Sequence, residues 1–302
     1  MAQIKWIHVI VNPASGQDRP ILGPLNRAFQ PAGIRWEVKI TQEAGDACRF
    51  AQEAAAQGVD AVAAYGGDGT IMEVASGLIG SQVPMAIFPG GTANVMAVEL
   101  GIPNDLTQAC ALVSGEERAL RQVDMGQINE RTFLLRAGVG FEADLVQGAS
   151  RELKDRIGNL AYVVSALQAL TNAKPTHYQL TLDGKEIEID GITCMIANSG
   201  NLGQPGLSLA PSINVDDGLL DVIVIRAGDI VSMLSVIASV VGKNENAEPL
   251  QHYQAREIKI RTETPQTVQA DGEILGETPV SARVLPQAVT VIVPKPANGM
   301  GQ

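Results

Sequence analysis

The sequence has no basic run, no interleaving of basic with aromatic residues, and no apolar stretch long enough to cross a bilayer. The first two absences remove the usual electrostatic footprint of a nucleic-acid partner. The longest apolar stretch, Ile230–Val241, falls well short of the roughly 20 residues that a spanning helix needs. Cysteine is scarce: Cys48, Cys110 and Cys194 are far apart, odd in number and without zinc spacing. Neither a disulfide framework nor a structural zinc site is indicated, and a reducing cytosol is the simplest home. His8, His177 and His252 are equally scattered and read as structural. The apolar Ile4–Val11 ends at Asn12-Pro13 without a small-residue cleavage site, so no signal peptide is expected. A net charge of −11 argues against broad docking on anionic lipid and leaves room only for a local patch.

What is present suits one large or two medium domains: 302 residues, 45% of them hydrophobic. The first half alternates strand and helix. Ile4–Val11, Arg35–Ile40, Ala61–Tyr65 and Met85–Phe88 read as strands. Ile21–Phe29, Glu43–Gln57, Ile71–Leu78, Val95–Leu100 and Leu106–Ser114 read as helices. That alternation predicts a doubly wound parallel sheet, whose ligands bind beyond the carboxyl ends of the strands. Tyr65-Gly66-Gly67-Asp68-Gly69-Thr70 leaves one such end and opens a helix. Glycines let backbone approach a ligand, and a helix start presents unpaired N–H groups to an anion. The loop is neither a Walker A sequence nor a dinucleotide fingerprint. Asp68 beside a phosphate cradle suggests an intervening Mg²⁺. The competing reading is a tight turn with Asp and Thr as caps.

From about Val123 the chain reads as strands and hairpins, with Asp183-Gly184 a strong hairpin signal. The expectation is a mainly antiparallel β-sandwich domain over residues 124–294, after an α/β domain over 1–123 and before a tail over 295–302. Two helices are predicted within the second half, near Arg151–Leu170 and Asp229–Val241. The first begins with Arg151, Lys154 and Arg156 and continues apolar from Ile157, a pattern that suits a lipid interface. Two acidic turns stand out, Asn214-Val215-Asp216-Asp217-Gly218-Leu219 and Asp271-Gly272-Glu273; by turn chemistry alone both are β-turns.

Six blocks together resemble the diacylglycerol-kinase-type lipid kinases, a family that includes sphingosine kinases and bacterial diacylglycerol and phosphatidylglycerol kinases. They are Asn12-Pro13-Ala14-Ser15-Gly16, Gly66-Gly67-Asp68-Gly69-Thr70, Pro89-Gly90-Gly91-Thr92-Ala93-Asn94, Gly138-Val139-Gly140-Phe141-Glu142-Ala143, Asp217-Gly218-Leu219-Leu220-Asp221 and Asp271-Gly272-Glu273. They span nearly the whole chain in the family's order. The resemblance implies a nucleotide-binding α/β domain, a β-sandwich domain and a cleft between them. It implies ATP contacts at Asn12, Pro13, Ala14, Ser15, Gly16, Thr41, Gly66, Gly67, Asp68, Gly69, Thr70, Ile71, Met72 and Thr92. It implies Asp271 as the general base on a lipid hydroxyl, and a structural Mg²⁺ held by Asp217 with backbone carbonyls of Asn214 and Leu219. Three positions depart from the family pattern, which commonly has Asn at Met72, Asp at Val95 and a basic residue near Gln17.

These residues predict an ATP- and Mg²⁺-dependent kinase acting on diacylglycerol, phosphatidylglycerol or a similar membrane lipid. It would be a cytoplasmic protein that docks transiently at the membrane, with its oligomeric state, a homo-oligomer included, left open. Two other readings stand beside it: an NAD-kinase-like enzyme with a soluble substrate, and a nucleotide-binding regulator without catalysis.

Overall fold

The computed structural model describes residues 3–15, 20–140, 174–210, 212–226 and 251–296. The chain divides into two compact units, Met1–Val123 with Gln287–Gln302, and Asp124–Pro286. The expected helices Arg151–Leu170 and Asp229–Val241, the basic trio of the first, Gly16, Gln17 and Phe141-Glu142-Ala143 lie outside the described residues.

In the first unit the elements are β1 (Trp6–Val11), α1 (Leu22–Phe29), β2 (Arg35–Ile40), α2 (Asp46–Gln57), β3 (Ala61–Gly66), α3 (Asp68–Leu78), β4 (Met85–Pro89), α4 (Val95–Glu99) and α5 (Leu106–Ser114). The strands run parallel in the order β2-β1-β3-β4. A parallel sheet covered on both faces needs continuous apolar strands, and all six residues of β3 are buried. Ile7, Val9 and Val11 of β1 share a core with Leu25 and Phe29 of α1 and with Cys110 and Val113 of α5. Helices α2 and α3 pack at close range, because a side chain at Gly77 would collide with the carbonyl of Cys48. All four strands point their carboxyl ends toward the same edge, where the loops at Asn12, Thr41, Gly66 and Pro89 emerge.

The remaining strands are β5 (Arg118–Ile128), β6 (Arg131–Phe133), β7 (Arg136–Gly140), β8 (Thr176–Leu182), β9 (Lys185–Gly191), β10 (Thr193–Ala197), β11 (Asn201–Gln204), β12 (Leu207–Ser208), β13 (Leu220–Ile225), β14 (Gln251–Ala255), β15 (Glu257–Thr262), β16 (Thr267–Ala270), β17 (Glu273–Glu277) and β18 (Val280–Pro294). One antiparallel sheet of the second unit has the order β14-β13-β10-β7-β16-β17. A second antiparallel ladder joins β18, β15, β8 and β9. Alternate residues of both meet in one core, among them Val139, Cys194, Val222 and Val268 from the first and Tyr178, Leu180, Ile258 and Ile260 from the second.

The structure departs from the sequence expectations in several element bounds. Helix α3 starts at Asp68 rather than Ile71, so Gly69 and Thr70 lie inside its first turn. Strand β5 begins at Arg118, before Val123. The ranges Ala282–Leu285 and Val289–Val293, which read as two strands from the sequence, belong to the single strand β18, which continues through Pro286 with Gln287 at a φ of 51°. Its first part pairs with β15, and Val291 pairs in parallel with Met85 of β4. For that reason Gln287–Pro294 groups with the first unit.

Candidate active-site residues

Asn12 organises the turn after β1. Its N–H donates to the Tyr65 carbonyl at 3.0 Å, and its Oδ1 accepts from the Ala14 N–H at 2.9 Å. Its Nδ2 donates to the Thr70 hydroxyl at 3.0 Å. Ser15 closes the turn, its hydroxyl donating to the Asn12 carbonyl at 2.8 Å; Pro13 lies within it. The N–H of Thr41 donates to the Val11 carbonyl at 2.9 Å, which holds the end of β2 beside Asn12.

The two glycine loops pack backbone on backbone. Gly90 N–H donates to the Gly66 carbonyl at 2.9 Å. A Cβ on Gly91 would lie 2.6 Å from the Gly67 Cα, and one on Gly66 would lie 2.5 Å from the Thr70 hydroxyl. These glycines are therefore required by the protein's own packing. Gly69 differs: a Cβ there meets nothing within 4 Å. Among the described residues no side chain caps the start of α3, whose N-cap is Gly67. An uncapped helix start with open space above its second residue is a cradle for an anion.

Asp68 has a structural task as well. Its Oδ1 accepts from the Met96 N–H at 3.3 Å, at the first turn of α4. Asn94, buried and left-handed at a φ of 48°, exchanges two hydrogen bonds of 2.9 Å with Gly91 and donates a third to Asn104. It shapes the loop that carries the exposed Thr92. Ile71 is fully buried. The Met72 sulfur accepts from the Ser76 hydroxyl at 3.5 Å, inside the helix. Val95 is buried, so this departure from the family pattern is a packing residue.

In the second unit Asp271 occupies the first position of the two-residue turn between β16 and β17. Asp271 and Gly272 both have positive φ, 45° and 92°, which is the hairpin geometry that Asp-Gly favours. Oδ2 accepts from the Leu134 N–H at 2.7 Å; Oδ1 accepts from Leu135 at 3.1 Å and Arg136 at 2.9 Å. Burial pushes the carboxyl up to about 6, while these three N–H groups and the Arg136 charge pull it down. A carboxyl so placed is ionised at neutral pH and close enough to it to take a proton. The device itself recurs at Asp183, whose exposed carboxylate accepts from the N–H groups of Arg256 and Glu257. What distinguishes Asp271 is its partial burial and its third donor.

In the other acidic turn, Asp217 Oδ1 accepts from the Leu219 N–H at 3.0 Å. Asp217 and Asn214 are exposed. Among the described residues no three His, Cys, Asp or Glu side chains cluster for a metal. A site here would draw on one carboxylate, backbone carbonyls and water, and such an oxygen-only donor set fits a hard cation such as Mg²⁺. Asp221, at the end of the same block, is fully buried; it accepts from His252 Nε2 at 2.5 Å and Gln254 Nε2 at 3.1 Å. Burial pushes its carboxyl up.

Sequence reasoning placed Asn94 in a family block without giving it a role, and did not single out Asp124, Asn198 or the backbone of Leu134–Arg136. The three N–H donors carry no side-chain signal, and Leu134 lies 137 residues from Asp271.

Comparison with known proteins places these residues in a family. Residues 6–128 match the diacylglycerol kinase catalytic domain, and residues 136–293 match the YegS C-terminal NAD kinase beta sandwich-like domain. The chain is 32% identical to the Synechocystis protein sll0036, over 97% of this chain and 71% of that one. It is 29% identical to the diacylglycerol kinase of Bacillus subtilis, over 97% of each. A crystal structure of a diacylglycerol kinase from Bacillus anthracis superposes with a TM-score of 0.81 at 30% identity, covering 98% of this chain and 99% of that one. The chain belongs to the diacylglycerol kinase family, with its catalytic domain and its YegS-type sandwich-like domain, and is a lipid kinase.

Proposed function

We propose that this lipid kinase transfers the γ-phosphate of ATP to a hydroxyl of a membrane lipid, diacylglycerol, phosphatidylglycerol or one like them, with Mg²⁺ bound alongside. The observation that carries the reading is the start of α3, uncapped among the described residues and open above Gly69. Phosphoryl transfer asks for positioning and charge stabilisation more than for covalent chemistry. The backbone at Gly66–Gly69 and at Gly91–Thr92 holds the phosphates; Asn12, Pro13, Ala14, Ser15, Gly16, Thr41, Thr70, Ile71 and Met72 complete the nucleotide contacts. Mg²⁺, when bound near Asp68, supplies positive charge to the phosphate oxygens. Asp271 accepts the proton of the attacking hydroxyl. A second, structural Mg²⁺ belongs at Asn214, Asp217 and Leu219. Among the described residues no helix is long and apolar enough to cross a membrane; in this reading the protein reaches its lipid by transient docking.

Radiolabelled ATP offered with a panel of lipids in mixed micelles, and with NAD as soluble control, tests the proposal. Label on one lipid class and none on NAD is expected, with turnover reduced roughly 10²-fold or more in Asp271→Asn. Label on NAD alone would replace the lipid reading. ATP binding without turnover on any acceptor would favour a regulator.

A further inference from the structure

We infer that Asn198 is a positioning residue for the Asp271 carboxylate, acting through the peptide groups between Leu134 and Arg136; this rests on Asp271 as the base. The segment Leu134–Arg136 lies between the two side chains. Its N–H groups all turn to Asp271, at 2.7, 3.1 and 2.9 Å. Its carbonyls turn away from that carboxylate. The Leu134 carbonyl accepts from Asn198 Nδ2 at 2.9 Å. The Leu135 carbonyl accepts from the N–H groups of Asn198 and Ser199, at 2.8 and 3.0 Å. The Arg136 carbonyl returns to the N–H of Asp271 at 3.0 Å.

Two peptide units therefore receive a hydrogen bond at oxygen from Asn198 and give one at nitrogen to Asp271. A peptide polarised at its oxygen is a stronger donor at its nitrogen, so hydrogen bonds in such a chain reinforce one another. Each reinforced donor favours the ionised carboxylate. Asn198 is fully buried, and its Nδ2 also donates to the Asp124 carbonyl at 2.8 Å. Among the described residues its Oδ1 has no hydrogen-bond partner. Burying an acceptor without a partner costs free energy, so the donor half of the amide is what the site uses.

The same chain of bonds reaches further. The Asp124 N–H donates to the Val215 carbonyl at 2.7 Å, and Asp124 Oδ2 accepts from the Gly218 N–H at 2.6 Å. Asn198 thus stands between the Asp217 turn and Asp271. A loop-capping role alone would need only the backbone bonds of Asn198 and Ser199. Among the described residues the charge that acts on Asp271 is that of Arg136 on β7; the exposed Glu273 opens β17 two residues on, and the segment 198–201 carries no charged side chain.

The test is a pH titration of the Asp271 carboxyl carbon by NMR, the signal assigned by its loss in Asp271→Asn. In Asn198→Ala the midpoint moves up, by about half a unit to one unit, and the Leu135 amide proton shifts toward the value of a weaker hydrogen bond. Asn198→Ser, which keeps a shorter donor, moves both part of the way. Turnover falls with the midpoint shift while ATP affinity is unchanged. An unmoved midpoint, whatever the melting temperature does, overturns the inference, and so does failure of both variants to fold. Full turnover in Asp271→Asn would sink the base assignment instead, and leaves the titration result readable by itself.

Discussion

The side-chain amide of Asn12 donates to the hydroxyl of Thr70 at 3.0 Å, tying the turn after β1 to the first turn of α3 across 58 residues. The two ends of the Asn12 amide have separate duties, since Oδ1 closes its own turn on Ala14. Asn12→Asp keeps that acceptor, replaces the donor and adds a negative charge beside the proposed phosphates. The variant is expected to melt close to wild type and to bind ATP roughly tenfold or more weakly, on the scale of one unit charge near the site. Equal ATP affinity by calorimetry would remove Asn12 from the nucleotide contacts.

The glycines of the loop make opposite predictions. Gly66→Ala drives a methyl group into Thr70 and should destabilise the first unit by about 1–3 kcal/mol. Gly69→Val has space for its side chain within the protein and should keep the fold by circular dichroism while losing ATP binding. Retained ATP affinity in Gly69→Val would reduce the loop to a turn.

Asp271 also sets a slope of stability with pH. Its folded carboxyl titrates at about 6, above the roughly 3.9 of an unfolded aspartate. Between those values the folded chain holds a proton that the unfolded chain releases. This group's contribution is therefore present below about pH 4 and lost as pH rises through 6. Melting curves from pH 4 to 7 should show Asp271→Asn gaining on wild type across that window. A gain in the other direction would mean that the three N–H donors outweigh burial.

The Asp217 turn should respond to metal without nucleotide. A cation bound only by the folded chain stabilises it by mass action. Millimolar Mg²⁺ is expected to raise the melting temperature of wild type and to leave Asp217→Ala unchanged. Identical responses would place the metal elsewhere.

Docking is the fifth expectation. With a net charge of −11, attraction to anionic vesicles must come from a local patch, for which Arg151, Lys154 and Arg156 are the candidates. Three such residues contribute on the order of 1 kcal/mol each, so sedimentation with vesicles should be weak and salt-sensitive. Replacing all three with Gln should abolish it and leave ATP binding intact. A triple variant that sediments like wild type would rule this patch out.

The α/β half was legible because β1, β3 and β4 are short apolar runs ending in Asn-Pro or Gly-Gly punctuation, and the helices between them follow one apolar face. The start of α3 was misread because glycine lowers helix propensity, yet Gly69 occupies its first turn. Edge strands were the other blind spot. Strands β14 and β17 lie at the two ends of their sheet, and Gln251-His252-Tyr253-Gln254 shows too little apolar alternation to mark a strand. Asp271 and Asp217 stood out as acidic turn residues, read as β-turns by turn chemistry alone and raised to candidates by the family resemblance. Asn198 did not, since its role depends on which backbone groups the fold brings to it.

The final strand has a bearing on biosynthesis. Val291 and Ile292, both nearly inaccessible to solvent, lie in the strand that pairs with β4, next to the parallel set β2-β1-β3-β4, whose strands lie within the first 89 residues. The nucleotide-binding half is therefore unfinished until the ribosome has passed residue 292, and the margin of β4 waits unpaired until then. A fragment ending at residue 123 would keep that bare margin permanently, an invitation to pair with other chains. The first unit, begun before the second, thus closes only after the second has been made.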